Sequence, residues 1–320
     1  AHDLDAISKL GKKIDIFQID DGYERTVGDW LETDEKKFPN GMKAIADNIH
    51  SQDMLAGLWL APFAVTPKSH IYQQHKDWLV RDSKGKSHYA SHNWGGFYAL
   101  DIYNEQVRAY IKEVFDTVLN IWGYDMVKLD FLYACCIIPI HNKSRGEIMC
   151  DAMDFLRECC GDKIILGCGV PLAPAFGKVD FCRVGADVGL CWENKAYSRE
   201  DVSTQNTLTN TIFRRHLDGR AFLNDPDVFL LRDNNIKMPL SKRKIIADVN
   251  SLCGNLLFVS DDVSTYTQEQ RQIFIDTTSK NKAVINSAQF VKDKIIEINY
   301  TLDGKDDVLK FNLSTGERVR

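Results

Sequence analysis

The sequence is short of everything that would mark a membrane, nucleic-acid or disulfide-bonded protein. None of its 320 residues sits in an apolar stretch approaching the roughly 18 needed to span a bilayer. There is no long basic run, and 40 basic residues against 45 acidic ones leave a net charge of −5. That balance excludes a nucleic-acid binder driven by phosphate contacts. No two of the nine cysteines stand in C-x-x-C spacing, so zinc and thioredoxin-type motifs have no support. An odd cysteine count in a large chain fits a reducing compartment, and the cytoplasm is the expected location. The N-terminal AHDLDAISKLGKK has no signal-peptide pattern and no initiating Met. It reads as the middle of a helix, which suggests a chain that starts partway into a longer protein. No Gly-rich phosphate loop, internal repeat or low-complexity segment is visible.

What is present is an alternation of short apolar runs with helical segments. The runs are IFQIDDG (16–22), LAGLWLAP (55–62), MVKLDF (126–131), KIILGCG (163–169), DFCRVG (180–185), AFLND (221–225) and NLLFVSDD (255–262). Most are nearly continuously apolar, as parallel strands covered on both faces are. The helical period is clearest over 105–122, with Asn104 as N-cap and Gly123 as stop, and again over about 146–160, with Ile148, Met149, Ala152, Met153, Leu156 and Cys159 inward. Repeated β-α units with seven strands point to a (β/α)8 TIM barrel lacking its first strand, formed by residues 1–280. The alternative, an open doubly wound sheet, has no phosphate loop to support it. From 281 to 320 the pattern alternates apolar and polar residues around a turn at Asp303–Gly304, as in a small antiparallel β appendage. The segment 63–100 is long for one connection and would lie over the C-terminal face of a barrel, where active sites form.

Polar groups gather at the ends of the apolar runs: Asp20 and Asp21, Trp59, Lys128 and Asp130, Cys168, Arg183, then Asp187. In YDMVKLDF (124–131), Lys128 and Asp130 stand at i and i+2 and point to one face of the strand. In a barrel those ends converge on one mouth. Retaining glycoside hydrolysis needs two carboxyl groups about 5–5.5 Å apart, one to attack the anomeric carbon and one to protonate the leaving oxygen. Asp130 could attack, kept ionised by Lys128, and Asp187 could be the acid, with Arg183 working against a raised pKa if it points at Asp187. Each residue also has a plainer reading. Lys128–Asp130 could be a structural ion pair, Asp187 a turn cap, Asp20–Asp21–Gly22 a turn signal, and Trp59 and Cys168 core residues. Arg183 could be a structural partner of Asp180 or Asp187. His70, His75, His88 and His92 lack metal-ligand spacing and read as exposed loop residues, so no metal is expected. Asp225–Pro226–Asp227 reads as a loop-shaping strand end, and Asp261–Asp262 has no role that follows from sequence.

The ordered set IFQIDDGYERTVGDW, KFPNGMKAIADNIH, LAGLWLAPF, HKDWLVRD, MVKLDF, GCGVP, FCRVGADV and LNDPDVFLLRD resembles the catalytic barrel of glycoside hydrolase family 36 α-galactosidases over about residues 1–265. The resemblance implies a retaining double displacement on a terminal α-galactosyl residue, with Asp130 as nucleophile and Asp187 as acid/base. It implies that one or both of Asp20 and Asp21 hold the sugar 4- and 6-hydroxyls, that Trp59 walls the ring, and that Lys128, Cys168 and Arg183 complete the substrate-binding positions, with no metal or cofactor. The stretch CGVPLAPAFGK departs from the Ser-Gly-Gly pattern of many members, which leaves contacts at the sugar 2-hydroxyl open. The expected partner is a small oligosaccharide; self-association into a homo-oligomer stays open. Three other readings remain: a galactosyl transferase of the same family, an inactive carbohydrate-binding fragment, and a metal-dependent barrel hydrolase.

Overall fold

Each of the seven runs expected as a strand forms one, shortened at its ends, in a computed structural model that describes residues 2–10, 12–193, 202–279 and 283–319. The chain divides into two compact units, residues 14–182 and residues 1–13 with 183–320.

In the unit 14–182 the core is a parallel sheet. Its strands lie in the order Ile16–Ile19, Leu55–Leu60, Met126–Leu129 and Ile164–Gly167, and Phe181–Cys182 adds to the last of these. Only Ile16–Ile19, at the edge, is half-buried along its whole length. The register sets Trp59 beside Lys128 and Lys128 beside Leu166. Val127 and Leu129 are fully buried, so the alternation leaves Lys128 as the polar position of its strand.

Helices connect the strands, and their caps are written locally. Helix Glu105–Asp116 starts where the Asn104 side chain accepts the N–H groups of Gln106 and Val107. It continues as a π-helical turn over Thr117–Ile121, so the expected helix 105–122 is present with a widened last turn. Helix Arg145–Cys160 opens with a capping box between Ser144 and Glu147. Its inner face includes Phe155 and Cys160, whereas Cys159, expected inward, is half-buried. The reason is spacing: Cys160 stands four residues after Leu156 and shares its face. The segment 63–100 folds into a small antiparallel sheet of Ala64–Val65, Phe97–Ala99 and Tyr89–Ser91.

In the other unit, the expected N-terminal helix forms over His2–Ser8, shorter than the AHDLDAISKLGKK stretch, and the Val184 N–H pairs with the carbonyl of Asp225, at the end of strand Leu223–Asp225. Val228–Phe229 pairs in parallel with Phe258–Val259. Helix Leu240–Cys253 is buried along most of its length. The C-terminal strands Val284–Lys292, Ile295–Leu302, Lys305–Asn312 and Glu317–Arg318 form an antiparallel meander. Asp303 and Gly304 both have positive φ, the backbone of the tight hairpin turn expected there. Ile296, Ile298, Leu309 and Phe311 form its buried face, and Arg318 pairs with Asp248 of the long helix.

Candidate active site

In the unit 14–182 the polar groups at the strand ends are tied together in pairs. Asp20 follows directly on its strand and accepts from Gln18 Nε2 at 2.7 Å and Lys128 Nζ at 2.8 Å on one oxygen. Its other oxygen accepts the Asp21 N–H at 2.9 Å. The Lys128 ammonium thus forms an ion pair with Asp20, a partner that strand spacing alone does not suggest.

Asp130 is held through both carboxylate oxygens. Trp59 Nε1 donates to Oδ2 at 3.1 Å and the Phe131 N–H to Oδ1 at 2.7 Å. Phe131 has φ +53, so the chain turns sharply just beyond Asp130 and folds its own N–H onto the carboxylate. Gly169 faces this turn: a Cβ there would stand 2.9 Å from Phe131 N and 3.2 Å from Asp130 Oδ1. Cys168 is buried, and its N–H donates to the Leu129 carbonyl at 2.8 Å, which ends the pairing of the two strands beside Asp130. The orientation of Asp130 is therefore set by a strand end, a left-handed residue and an indole.

The 63–100 segment does reach these groups. Trp94 Nε1 donates to Asp21 Oδ2 at 2.9 Å, and its ring meets Trp59 edge-on at 6.0 Å and Phe131 at 4.8 Å. Trp94 itself has φ +55. Trp59 is 2% exposed, so it offers its indole N–H to Asp130 from within the core. Glu24, which no sequence pattern singles out, is buried close by. Its burial, then a side-chain hydrogen bond with Asp21, pushes its carboxyl up to about 8.

The second cluster belongs to the other unit. Arg183 is buried and spreads its guanidinium over three carboxylates: Nη1 to Asp187 Oδ1 at 2.7 Å, Nε to Asp225 Oδ2 at 3.0 Å, and Nη2 to Asp227 Oδ1 at 2.7 Å. Arg183 does point at Asp187, and Asp180 instead pairs with Arg157. Asp225 and Asp227 are buried, whereas the Asp187 side chain is 65% exposed. Asp225 and Asp227 are thus more than loop-shaping residues. The signal for this is two carboxylates flanking a proline at the end of a buried run, which hydrophobic patterning hides.

Two further expectations resolve into local structure. Asp261 is buried and accepts the N–H groups of Leu231 and Arg232 and the Tyr266 hydroxyl, while Asp262 caps a short turn. Of the four loop histidines, His70 and His92 are exposed, but His75 and His88 are half-buried, correcting the expectation of full exposure. His75 stacks on Trp78 and His88 pairs with Asp82, which accounts for their cover. Among the described residues one set of side chains, Asp29, Glu32 and His70, lies close enough to hold a metal ion. Both Asp29 oxygens there accept backbone N–H groups, from His70 and Ile71, and His70 Nδ1 contacts Glu32 at 2.8 Å.

Known proteins resemble this chain in both sequence and fold. Residues 2–146 match the Melibiase family. α-Galactosidase 1 of Pediococcus pentosaceus is 33% identical over 158 residues, 45% of this chain and 20% of that protein. The A type blood α-D-galactosamine galactosaminidase of Flavonifractor plautii is 32% identical over 154 residues, 45% of this chain and 14% of that protein. The α-galactosidase of Thermus thermophilus, solved with p-nitrophenyl α-D-galactopyranoside, superposes with a TM-score of 0.80 at 30% identity, covering 95% of this chain and 61% of that one. The chain spans about a fifth of the length of the first of these curated relatives. Its mixed α/β fold, with a parallel sheet and a separate C-terminal antiparallel sheet, resembles glycoside hydrolase catalytic domains. By its matched segment, its curated relatives and its solved neighbours, the chain is similar to the melibiases, the α-galactosidases of glycoside hydrolase family 36.

Proposed function

We propose that this chain carries the catalytic residues of a retaining α-galactosidase that releases terminal α-galactosyl residues from oligosaccharides. The observation that carries the reading is the fixed carboxylate of Asp130, with an N–H donor on each oxygen, beside the Lys128–Asp20 pair. A nucleophile held in one orientation loses little freedom on attack, and such positioning is a main source of rate.

In this reading Asp130 forms a bond to the anomeric carbon as the glycosidic bond breaks, and Asp187 gives its proton to the departing oxygen. Asp187 then takes a proton from water, which attacks the anomeric carbon and releases Asp130. Its exposed side chain suits a group that must exchange a proton with solvent between turnovers. Asp20, fixed by Lys128, and Asp21, fixed by Trp94, are assigned to the sugar 4- and 6-hydroxyls. Trp59 is assigned to the wall of the sugar site, and Cys168 and Arg183 to the remaining binding positions. The substrate class follows relatives solved with p-nitrophenyl α-D-galactopyranoside and with stachyose. A (β/α)8 barrel lacking its first strand over residues 1–280, with 281–320 as a separate β segment, is the architecture we propose. All nine cysteines are thiols, which supports a cytoplasmic location.

The test is release of nitrophenol from p-nitrophenyl α-D-galactopyranoside, with the first-formed sugar followed by proton NMR. Retention predicts α-galactose as the initial product and loss of activity in Asp130→Ala. Initial β-galactose, or unchanged turnover in that variant, would overturn the reading. Transfer to an added sugar at high acceptor concentration would mark the chain as a transferase with the same carboxylates.

A further inference from the structure

Asp227 is buried, yet no step above uses it. One of its oxygens lies 2.7 Å from Arg183 Nη2; the other accepts the Val188 N–H at 2.6 Å. Those two partners flank Asp187: Arg183 contacts its carboxylate and Val188 is the next residue along the chain. Asp227 is itself held firmly. Its N–H donates to Asp225 Oδ1 at 2.8 Å, its carbonyl accepts from Asn250 Nδ2 at 2.9 Å, and its φ is +75, a conformation that a non-glycine residue keeps only under external constraint.

We propose that Asp227 is the positioning residue for the acid/base, clamping the segment that carries Asp187 by its backbone on one side and by the shared Arg183 guanidinium on the other. The inference rests on Asp187 being the acid/base.

The clamp also has an electrostatic side. The groups facing Asp227 are the Arg183 guanidinium, the Asp187 and Asp225 carboxylates and the Val188 N–H. Burial pushes the Asp227 carboxyl up to about 6, with Arg183 opposing and the two carboxylates adding to the rise. Above that pH, one positive charge is divided among three negative ones. Asp227 thus shares with Asp187 and Asp225 the one guanidinium that contacts all three. Replacing Asp227 with a neutral residue removes a like charge near Asp187 and frees Arg183 to pair with it.

The experiment compares Asp227→Asn with Asp187→Ala and the unaltered protein, using kcat/KM for raffinose and for 2,4-dinitrophenyl α-galactoside. The dinitrophenolate leaves without protonation; the sugar leaving group of raffinose needs the acid. Asp227→Asn is expected to lose about 100-fold on raffinose and less than about threefold on the aryl substrate, within the range general acid catalysis supplies. Equal losses on both substrates would overturn the proposal. If Asp187→Ala shows the leaving-group split and Asp227→Asn does not, the clamp fails while the acid/base assignment stands. If Asp187→Ala shows no split, the acid/base assignment fails and takes the clamp with it. Should Asp227→Asn not fold, Asp227→Ser is read in the same way; failure of both to fold would overturn the proposal by making Asp227 a folding residue.

Discussion

The indole N–H of Trp59 lies 3.1 Å from Asp130 Oδ2, while the ring itself is buried between Trp30 and Trp94. A core aromatic residue thus orients the group assigned as nucleophile. Trp59→Phe keeps most of the apolar contact and removes this one donor. A hydrogen bond to a charged group contributes about 1.5–3 kcal/mol, so kcat/KM for an aryl galactoside should fall about 10- to 100-fold. Stability should fall much less than in Trp59→Ala, because Phe fills much of the space the indole leaves. Thermal melting beside steady-state kinetics separates the two effects; an undiminished kcat/KM in a folded Trp59→Phe would remove the orienting role.

Gly169 acts on the same carboxylate through the backbone. Its φ is +57, and a Cβ at this position would come within 2.9 Å of Phe131 N, which leaves no room for a side chain. Gly169→Ala combines backbone strain of about 1–3 kcal/mol with pressure on the turn that holds Asp130. Activity at a temperature where the variant is fully folded should drop by at least about tenfold. A variant that is destabilised but fully active would show that the turn tolerates the shift.

Glu24 gives a pH dependence with a definite sign. Its folded-state carboxyl is raised from 4.5 to about 8, first by burial and then by the hydrogen bond with Asp21. The folded state therefore holds a proton that the unfolded chain releases above about 4.5. Its stability contribution is complete below that pH and is lost as pH rises through about 8. Glu24→Gln, which cannot ionise, should flatten the fall in melting temperature between pH 5 and 9. Parallel melting curves for the two proteins would contradict this.

Much of the fold is legible in the sequence because it is local. The parallel strands announce themselves as short apolar runs, the hairpin as Asp303–Gly304, and one helix start as Asn104. The polar groups at strand ends are legible as breaks in apolar pattern. Their partners are not. Lys128 pairs with a carboxylate 108 residues away, and Trp94 reaches Asp21 across 73 residues. Such pairings depend on strand register and on how the 63–100 segment folds, neither of which residue spacing encodes. Asp225 and Asp227 escape a sequence reading for a related reason: a buried carboxylate looks like a turn residue until the arginine that neutralises it is in place. Cys159 and Cys160 differ by one position, and one helical step of about 100° decides which is inside.

Covalent attachment of the sugar to Asp130 is the step on which the assigned mechanism depends. The direct measurement is mass spectrometry of the protein after reaction with a fluorinated galactosyl donor whose second step is slowed, followed by proteolysis and sequencing of the labelled peptide. One galactosyl label per chain is predicted, on Asp130 within YDMVKLDF, and none in Asp130→Ala. A label on another carboxylate, or full turnover with no trapped intermediate and an inverted product, would contradict it.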